Sequence, residues 1–496
     1  MLSFQLIIAL ITLGFFSCRA WIRRQRLPLP PGPKGWPILG NVFDIPKNKV
    51  QIAYMEMSRK YGSDLLYLNM AGKSMLVLNS LEAANDLLVG RSTLYSDRPR
   101  FPMIGELMGW DHDFVFLPYG NRWRKLRSIF TQQLSPTNIK EYERPHMQES
   151  MYVFLNNLLD TPKKFREHLL FLSGGNIISS AYGIPVNDSN HPFLELSIKA
   201  AHGLAEAGNP GTYLVDVFPI LKYVPSWFPG AGFKRRAAYE RNIMERVLRE
   251  PFEFVQTNMT NGTAKSSIAS RLIQKMQDDG EWSEENQDLA MCALGTIFGG
   301  IFLALVCNPD ILKKGQAAVD AVSSDEGKIP YVDAMVMEVL RWRPIVPLGV
   351  AHYTTSADTY RGYYIPANTI VIGNSWPILH DPTTYGADVS EFRPERFLNS
   401  DGTLNRAVPY PDAAFGFGRR VCAGQDFVHS AIWIAVASLL ACFDFAKALD
   451  KDGVEIEPST NYIERFMSYP RPFECTIKPR SKAVEELIRK SLEHRD

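Results

Sequence analysis

A short stretch late in the chain narrows the possibilities more than any other. Phe415–Gly424 reads Phe-Gly-Phe-Gly-Arg-Arg-Val-Cys-Ala-Gly, and an apolar run from Phe427 to Phe443 follows directly. Gly416, Gly418 and Gly424 let the backbone turn tightly and approach a large flat ligand. Backbone N–H groups and the start of the following helix favour a negative sulfur at Cys422 and would lower its pKa. A thiolate held in this way is a ligand for a soft or borderline metal such as haem iron. The competing reading is a structural cysteine, since free Cys is among the most buried residue types. The glycines and arginines around Cys422 favour the ligand.

The rest of the composition excludes other classes. The chain has 496 residues, 46% of them hydrophobic, which suffices for a large core in about one to three domains. A net charge of +1 carries no nucleic-acid footprint. Six cysteines, at 18, 292, 307, 422, 442 and 475, lie without CxxC spacing, which argues against a zinc site or a disulfide framework and suits a reducing compartment. No Gly-rich stretch follows a strand with GxGxxG spacing, so no nicotinamide or flavin fingerprint is present. Internal repeats and long low-complexity tracts are absent from the sequence.

Residues 1–18 are almost wholly apolar and uncharged, and Arg19, Arg23, Arg24 and Arg26 follow. A run of this length just spans a bilayer as a helix. Positive charge on its C-terminal side places the remainder in the cytosol. A cleaved signal peptide is the alternative, but it carries its basic residues before the apolar run, and Ser17-Cys18-Arg19 makes a poor cleavage site. Pro28, Pro30, Pro31, Pro33 and Pro37 make the rest of the 19–40 linker a stiff extended spacer. Sequons stand at Asn187, Asn258 and Asn261, and a cytosolic body keeps them from the glycosylation machinery.

Downstream, Gln51–Gly62 reads as a helix, and Leu65–Leu68 with Ser74–Asn79 as a hairpin around Ala71-Gly72-Lys73. Trp123 and Arg127, four apart, share one helix face, and a surface cation–π pair is their bland reading. Phe218–Phe233 alternates aromatics with prolines; it reads either as a segment dipping into a membrane interface or as a core loop. Glu338 and Arg341 can meet as i and i+3 on a helix. Pro344–His352 runs back as an extended apolar segment. Arg361–Pro366 and Thr369–Ile372 read as strands, and the tail after Lys482 as a solvated charged helix.

The spacing of Phe415, Gly418, Arg420, Cys422 and Gly424 resembles the haem-binding signature of the cytochrome P450 family, and the anchor-then-proline order resembles its fungal microsomal members, a group associated with secondary metabolism. Trp-x-x-x-Arg at Trp123 and Arg127, Glu-x-x-Arg at Glu338 and Arg341, and Pro-Glu-Arg-Phe with Arg396 extend the resemblance over the whole chain after the anchor. It implies a mainly α fold with a minor β region over residues 41–496, around one b-type haem, with Cys422 as the iron ligand. By the same resemblance Trp123, Arg127, Arg420 and His352, and Arg98 more weakly, hold the haem propionates. Glu338, Arg341 and Arg396 form a buried network bracing the Cys422 loop; losing one member would cost about 3–5 kcal/mol. Phe114, Phe116, Ile345, Val346, Leu348 and Val350 line a pocket for a small apolar substrate.

The implied activity is a monooxygenase fed with electrons by an NADPH-cytochrome P450 reductase, anchored in the endoplasmic reticulum membrane through lipid contact of residues 1–18. One stretch departs from the family. Its members carry an acidic residue and a threonine mid-helix to deliver protons during oxygen activation. Here no Asp or Glu lies between Leu289 and Cys307, and Thr296 is the only hydroxyl. The residues expected after Gly300 are lacking, about two to three helical turns of them. Either the chain is a real variant or the gene reading has lost a segment. The variant leaves two rival readings: a haem protein without oxygenase turnover, and a haem-thiolate isomerase or dehydratase.

Overall fold

The computed structural model describes residues 27–111, 113–186, 190–208, 212–278, 307–321, 329–464 and 466–493. The longer helices are α1 (Val50–Lys60), α2 (Asn121–Gln133), α3 (Arg144–Asp160), α4 (Phe165–Tyr182), α5 (Pro192–Ala207), α6 (Gly232–Thr260), α7 (Ile268–Asp278), α8 (Pro309–Asp320), α9 (Pro330–Trp342), α10 (Gln425–Cys442) and α11 (Lys482–Glu493). The strands are short: β1 (Leu65–Met70), β2 (Lys73–Leu78), β3 (His352–Tyr353), β4 (Asp358–Tyr360), β5 (Tyr363–Ile365), β6 (Ile370–Gly373), β7 (Phe443–Leu449), β8 (Glu455–Ile456), β9 (Tyr462–Glu464), β10 (Ser468–Pro470) and β11 (Cys475–Pro479). The protein is thus mainly helical with small sheets.

Helix α10 explains the main core. It is apolar around most of its circumference, the signature of a helix buried inside a protein. Phe427, Ala431, Ile432, Ala435, Val436, Leu439 and Leu440 are buried along one stripe against α3, α8 and α9. Among the described helices it is the one long and apolar enough to cross a membrane, and its place in the core accounts for that composition. Residues 1–18 lie outside the described residues.

A second core forms around the four-stranded sheet, ordered β1-β2-β6-β3. The β1–β2 hairpin closes through Ala71 and Gly72, both at positive φ (48° and 94°), which leaves Lys73 to open β2. Strand β2 pairs in parallel with β6, Met75 opposite Ile370 and Leu78 opposite Gly373, and β3 pairs antiparallel with β6.

Two expectations are corrected by packing, and the described start of the proline-rich stretch is tied to two strands. Tyr67 N–H on β1 donates to Pro31 O and Tyr364 N–H on β5 to Pro28 O, both at 2.8 Å, so residues 28–31 tie the edge of the four-stranded sheet to the separate β4–β5 pair. Pro344–His352 is not extended: Gly349, at φ 58°, donates its N–H to Val346 O at 2.9 Å, and only His352 and Tyr353 form strand. The C-terminal helix is not simply solvated. Ile488 is buried, and Asn156 Nδ2 on α3 donates to Ile488 O at 2.9 Å. Phe218–Phe233 resolves its two readings toward the surface, with Ile220, Tyr223 and Trp227 all more than 70% exposed. The described cysteines, Cys307, Cys422, Cys442 and Cys475, are free thiols.

Candidate haem site

The Cys422 loop is folded hard against the N-terminal third. Gly418 has φ 58°, and a Cβ there would stand 2.1 Å from Leu88 O, so the close approach excludes any side chain. Gly416 also needs its positive φ, 87°. Gly424 does not: at φ −94° it simply precedes α10. Cys422 N–H donates to Phe415 O at 2.9 Å, and Phe415 packs on the main core. The Cys422 residue itself is exposed. The expected lowering of its thiol pKa is corrected in the protein alone: the atoms crowded around the sulfur push it up, against the Gly424 N–H and the Arg127 charge.

Beside this loop gathers a group of cations. Arg420 is buried; its Nε donates to Ser96 O at 2.7 Å, and its Nη atoms donate to Phe114 O at 3.2 Å and Leu117 O at 2.8 Å. Arg98, also buried, donates from Nε to Val115 O at 2.9 Å and from Nη1 to Val350 O at 2.6 Å and Ala351 O at 2.8 Å. Half-buried Arg127 donates to Val421 O. Among the described residues none of these guanidiniums has a carboxylate within ion-pair distance. Burial and the neighbouring Arg420 charge hold Arg98 well below the ordinary guanidinium range, and burial takes Arg420 down to about 10.

His352, buried on β3, points Nδ1 at Tyr95 O, 2.8 Å away. A carbonyl only accepts, so Nδ1 carries the proton of a neutral ring and Nε2 is left as an acceptor. Burial first, and the Arg98 charge second, push this imidazole down to about 3. Trp123 is buried on α2, and its Nε1–H has no hydrogen-bond partner. The cation over its ring is Arg420, 4.6 Å from the centroid, and no Arg127 pair of the expected surface type forms.

Glu338, Arg341 and Arg396 form one buried hydrogen-bonded group. Glu338 and Arg341, both 0% exposed, meet through Nε–Oε2 at 2.7 Å and Nη2–Oε1 at 2.8 Å. Arg396 Nε reaches Glu338 Oε2 at 3.0 Å, and Arg393 N–H reaches Oε1 at 2.8 Å. Two participants escaped the sequence reading. Asp388 Oδ1 accepts from Arg396 Nη1 at 3.1 Å. Ser375 is the second: Arg341 Nη1 donates to Leu379 O at 3.1 Å, and Ser375 Oγ, four residues before Leu379 on the same short helix, donates to Ala413 O at 2.6 Å, just ahead of the Cys422 loop. Neither had a motif to betray it.

Of the pocket residues, Phe116 and Val350 share one apolar cluster. Phe114 belongs to the main core, 4.9 Å from the Phe130 ring, and Leu348 packs near β1 and β2. Ile345 and Val346 are half-buried in the turn before β3. Thr296 lies outside the described residues.

A family model for cytochrome P450 matches residues 30–476. The chain belongs to the cytochrome P450 family. It is 40% identical over 492 residues to the cytochrome P450 monooxygenase COX2 of Coprinopsis cinerea, covering 95% of this chain and 93% of that one. A cytochrome P450 monooxygenase of Armillaria gallica is 38% identical over 505 residues, 98% of each chain. The tryptamine 4-monooxygenase of Psilocybe cyanescens is 36% identical over 503 residues, 97% of this chain and 98% of its own. This cytochrome P450 is accordingly an oxidoreductase of the monooxygenase type, and its cofactor is haem, which the family holds through a cysteine thiolate. The residues beside Cys422 suit that cofactor. Two propionates would supply the negative charge that three guanidiniums lack, and an acceptor for the orphan Trp123 N–H.

Proposed function

We propose that the protein is a haem-thiolate monooxygenase inserting one oxygen atom from dioxygen into a small apolar organic substrate, with Cys422 as axial ligand. The observation that carries this is the uncompensated cluster of Arg98, Arg127 and Arg420 around Cys422, with Trp123 Nε1 unpartnered between them. Haem, when bound, supplies the one-electron and dioxygen chemistry. The protein's part is binding and orientation. Cys422 Sγ donates electron density. The guanidiniums and Trp123 Nε1–H hold the propionates, and His352 joins them only with Nε2 protonated, because Nδ1–H is spent on Tyr95. Glu338, Arg341 and Arg396 keep the loop in place, and Phe415, Gly418 and Gly424 shape it.

Phe116 and Val350, which share one apolar cluster, offer apolar lining, and a relative whose name gives tryptamine as its substrate supports a small organic molecule. Exposed Arg122, Arg124, Lys125 and Arg419 suit the acidic face of an NADPH-cytochrome P450 reductase. Residues 1–18 would anchor the catalytic domain, residues 41–496, to the cytosolic side of the endoplasmic reticulum through the 19–40 linker. Two exposed apolar stretches support a membrane-facing side. Trp36, Ile38 and Phe43 lie in one, and Leu214, Ile220, Tyr223 and Trp227 in the other. Both abut the β1–β2 turn: Ala71 N–H donates to Leu39 O at 3.1 Å, and Lys73 Nζ to Asp216 O at 2.6 Å.

The deciding experiment is Cys422→Ala. It should abolish the thiolate-specific band of the reduced carbon monoxide complex, and a surviving band would refute the ligand assignment. A second reading, haem binding with impaired oxygen activation or with isomerase or dehydratase chemistry, has one specific support. The Armillaria and Psilocybe alignments run over 505 and 503 residues, more than the 496 of this chain, so those relatives carry residues within the matched span that it lacks. That agrees with the absent acid–threonine pair, which leaves Thr296 as the only hydroxyl donor in that stretch. Oxygen uptake with purified reductase separates the two: oxygenated product supports the first reading, peroxide alone or no uptake the second.

A further inference from the structure

The residues of the haem site sit on three separate chain segments: Arg98 between α1 and α2, Trp123 and Arg127 on α2, and Arg419 and Arg420 in the Cys422 loop. Like charges brought together need something to fix their spacing, and a carboxylate salt bridge would neutralise the charge the site is built to present. The structure uses a different device. Tyr119, half-buried just before α2, packs its ring 5.0 Å from that of Trp123. The guanidiniums of Arg419 and Arg420 stand 5.4 and 6.0 Å from its ring centroid, and Arg419 Nη1 donates to its hydroxyl at 2.7 Å. Its backbone N–H donates to Asp97 Oδ1 at 2.9 Å, and the same oxygen accepts Arg98 N–H at 2.8 Å. One residue therefore touches all three segments. An aromatic face attracts cations without cancelling their formal charge, so the site keeps much of its positive potential for an incoming dianion, with Asp97, among the described residues, the one nearby carboxylate acting on Arg98 and Arg420.

We propose that Tyr119, with Asp97, is a clip that sets the spacing of Arg98, Trp123 and Arg420, making Tyr119 a positioning residue for the haem propionates. This rests on the reading that those residues hold the propionates, and the test treats the two separately. Full-length holoprotein is compared with Tyr119→Leu, Tyr119→Phe and Arg127→Gln. The readouts are the rate of haem transfer to excess apomyoglobin and the propionate bending band in the resonance Raman spectrum. Tyr119→Leu should speed haem loss roughly three- to thirtyfold and shift the propionate band, with the thiolate band of the carbon monoxide complex unchanged. Tyr119→Phe, which keeps the ring and loses the acceptor, should do the same at the low end of that range. It decides the matter alone if Tyr119→Leu fails to accumulate.

Faster haem loss with an unmoved propionate band would reduce Tyr119 to a fold-supporting residue and overturn the clip. A band that moves in Arg127→Gln but in neither Tyr119 variant would overturn the clip and leave the arginine reading standing. A band that moves in none of them would remove both.

Discussion

Neutralising Glu338 strands the buried Arg341 guanidinium and leaves Arg396 with Asp388 as its one carboxylate among the described residues. Glu338→Gln keeps the shape and removes the charge that both Arg341 and Arg396 face, so the cost should approach the about 3–5 kcal/mol of a broken buried pair. Urea titration followed by loss of the haem absorption band reads it as a lower midpoint. A second residue gives stability a pH dependence. His380 stacks on Trp376 with ring centroids 4.0 Å apart, and burial first, then the Arg341 charge, push it down to about 3. The unfolded chain takes up a proton near the ordinary histidine value of about 6.5, so stability is lost as pH falls from there toward 3. Between pH 6.5 and 5 the half-buried ring should contribute about 1–2 kcal/mol of that loss; His380→Gln should flatten the curve accordingly. At this scale the sequence was most informative where a motif ties neighbours together, as in Glu338 and Arg341. Trp123 and Arg127 do share α2, but the cation on the indole comes from Arg420, a partner that spacing along one helix cannot supply. Tyr119, Asp97 and Ser375 stayed hidden for the same reason: their work depends on segments brought together only by folding.

Elements were legible where one periodicity ruled. Strands β1, β2, β5 and β6 and helix α1 fall within a residue or two of their expected bounds, and Glu338 and Arg341 share helix α9. The misreadings share a cause, tertiary partners overriding local character. Charges dominate the composition of α11, but Ile488 anchors it on α3. Ile488→Ala should therefore cost about 2–5 kcal/mol, seen as a lower thermal midpoint with the thiolate band of the carbon monoxide complex unchanged. Prolines suggested a stiff extended spacer, and Pro28 and Pro31 still offer carbonyls, which strands β5 and β1 take. The apolar stretch before β3 looked extended until Gly349 supplied the left-handed turn.

The whole molecule has one strongly cationic region and one apolar side. Cations surround the Cys422 loop, and the two apolar stretches meet at the β1–β2 turn. If the latter side faces lipid, replacing Trp36, Tyr223 and Trp227 by serine in protein lacking residues 1–26 should weaken sedimentation with phospholipid vesicles and leave the haem spectrum intact. Unchanged sedimentation would assign that surface to something else. The parallel pairing of β2 with β6 has a cost outside the folded state. Met75 waits for Ile370, so β2 lacks this neighbour until roughly 300 more residues have been made, about 15–60 s of synthesis. Over that interval the nascent hairpin presents an open edge to other chains. The yield of soluble product should then depend on chaperone supply and on translation speed across the long helical middle of the message.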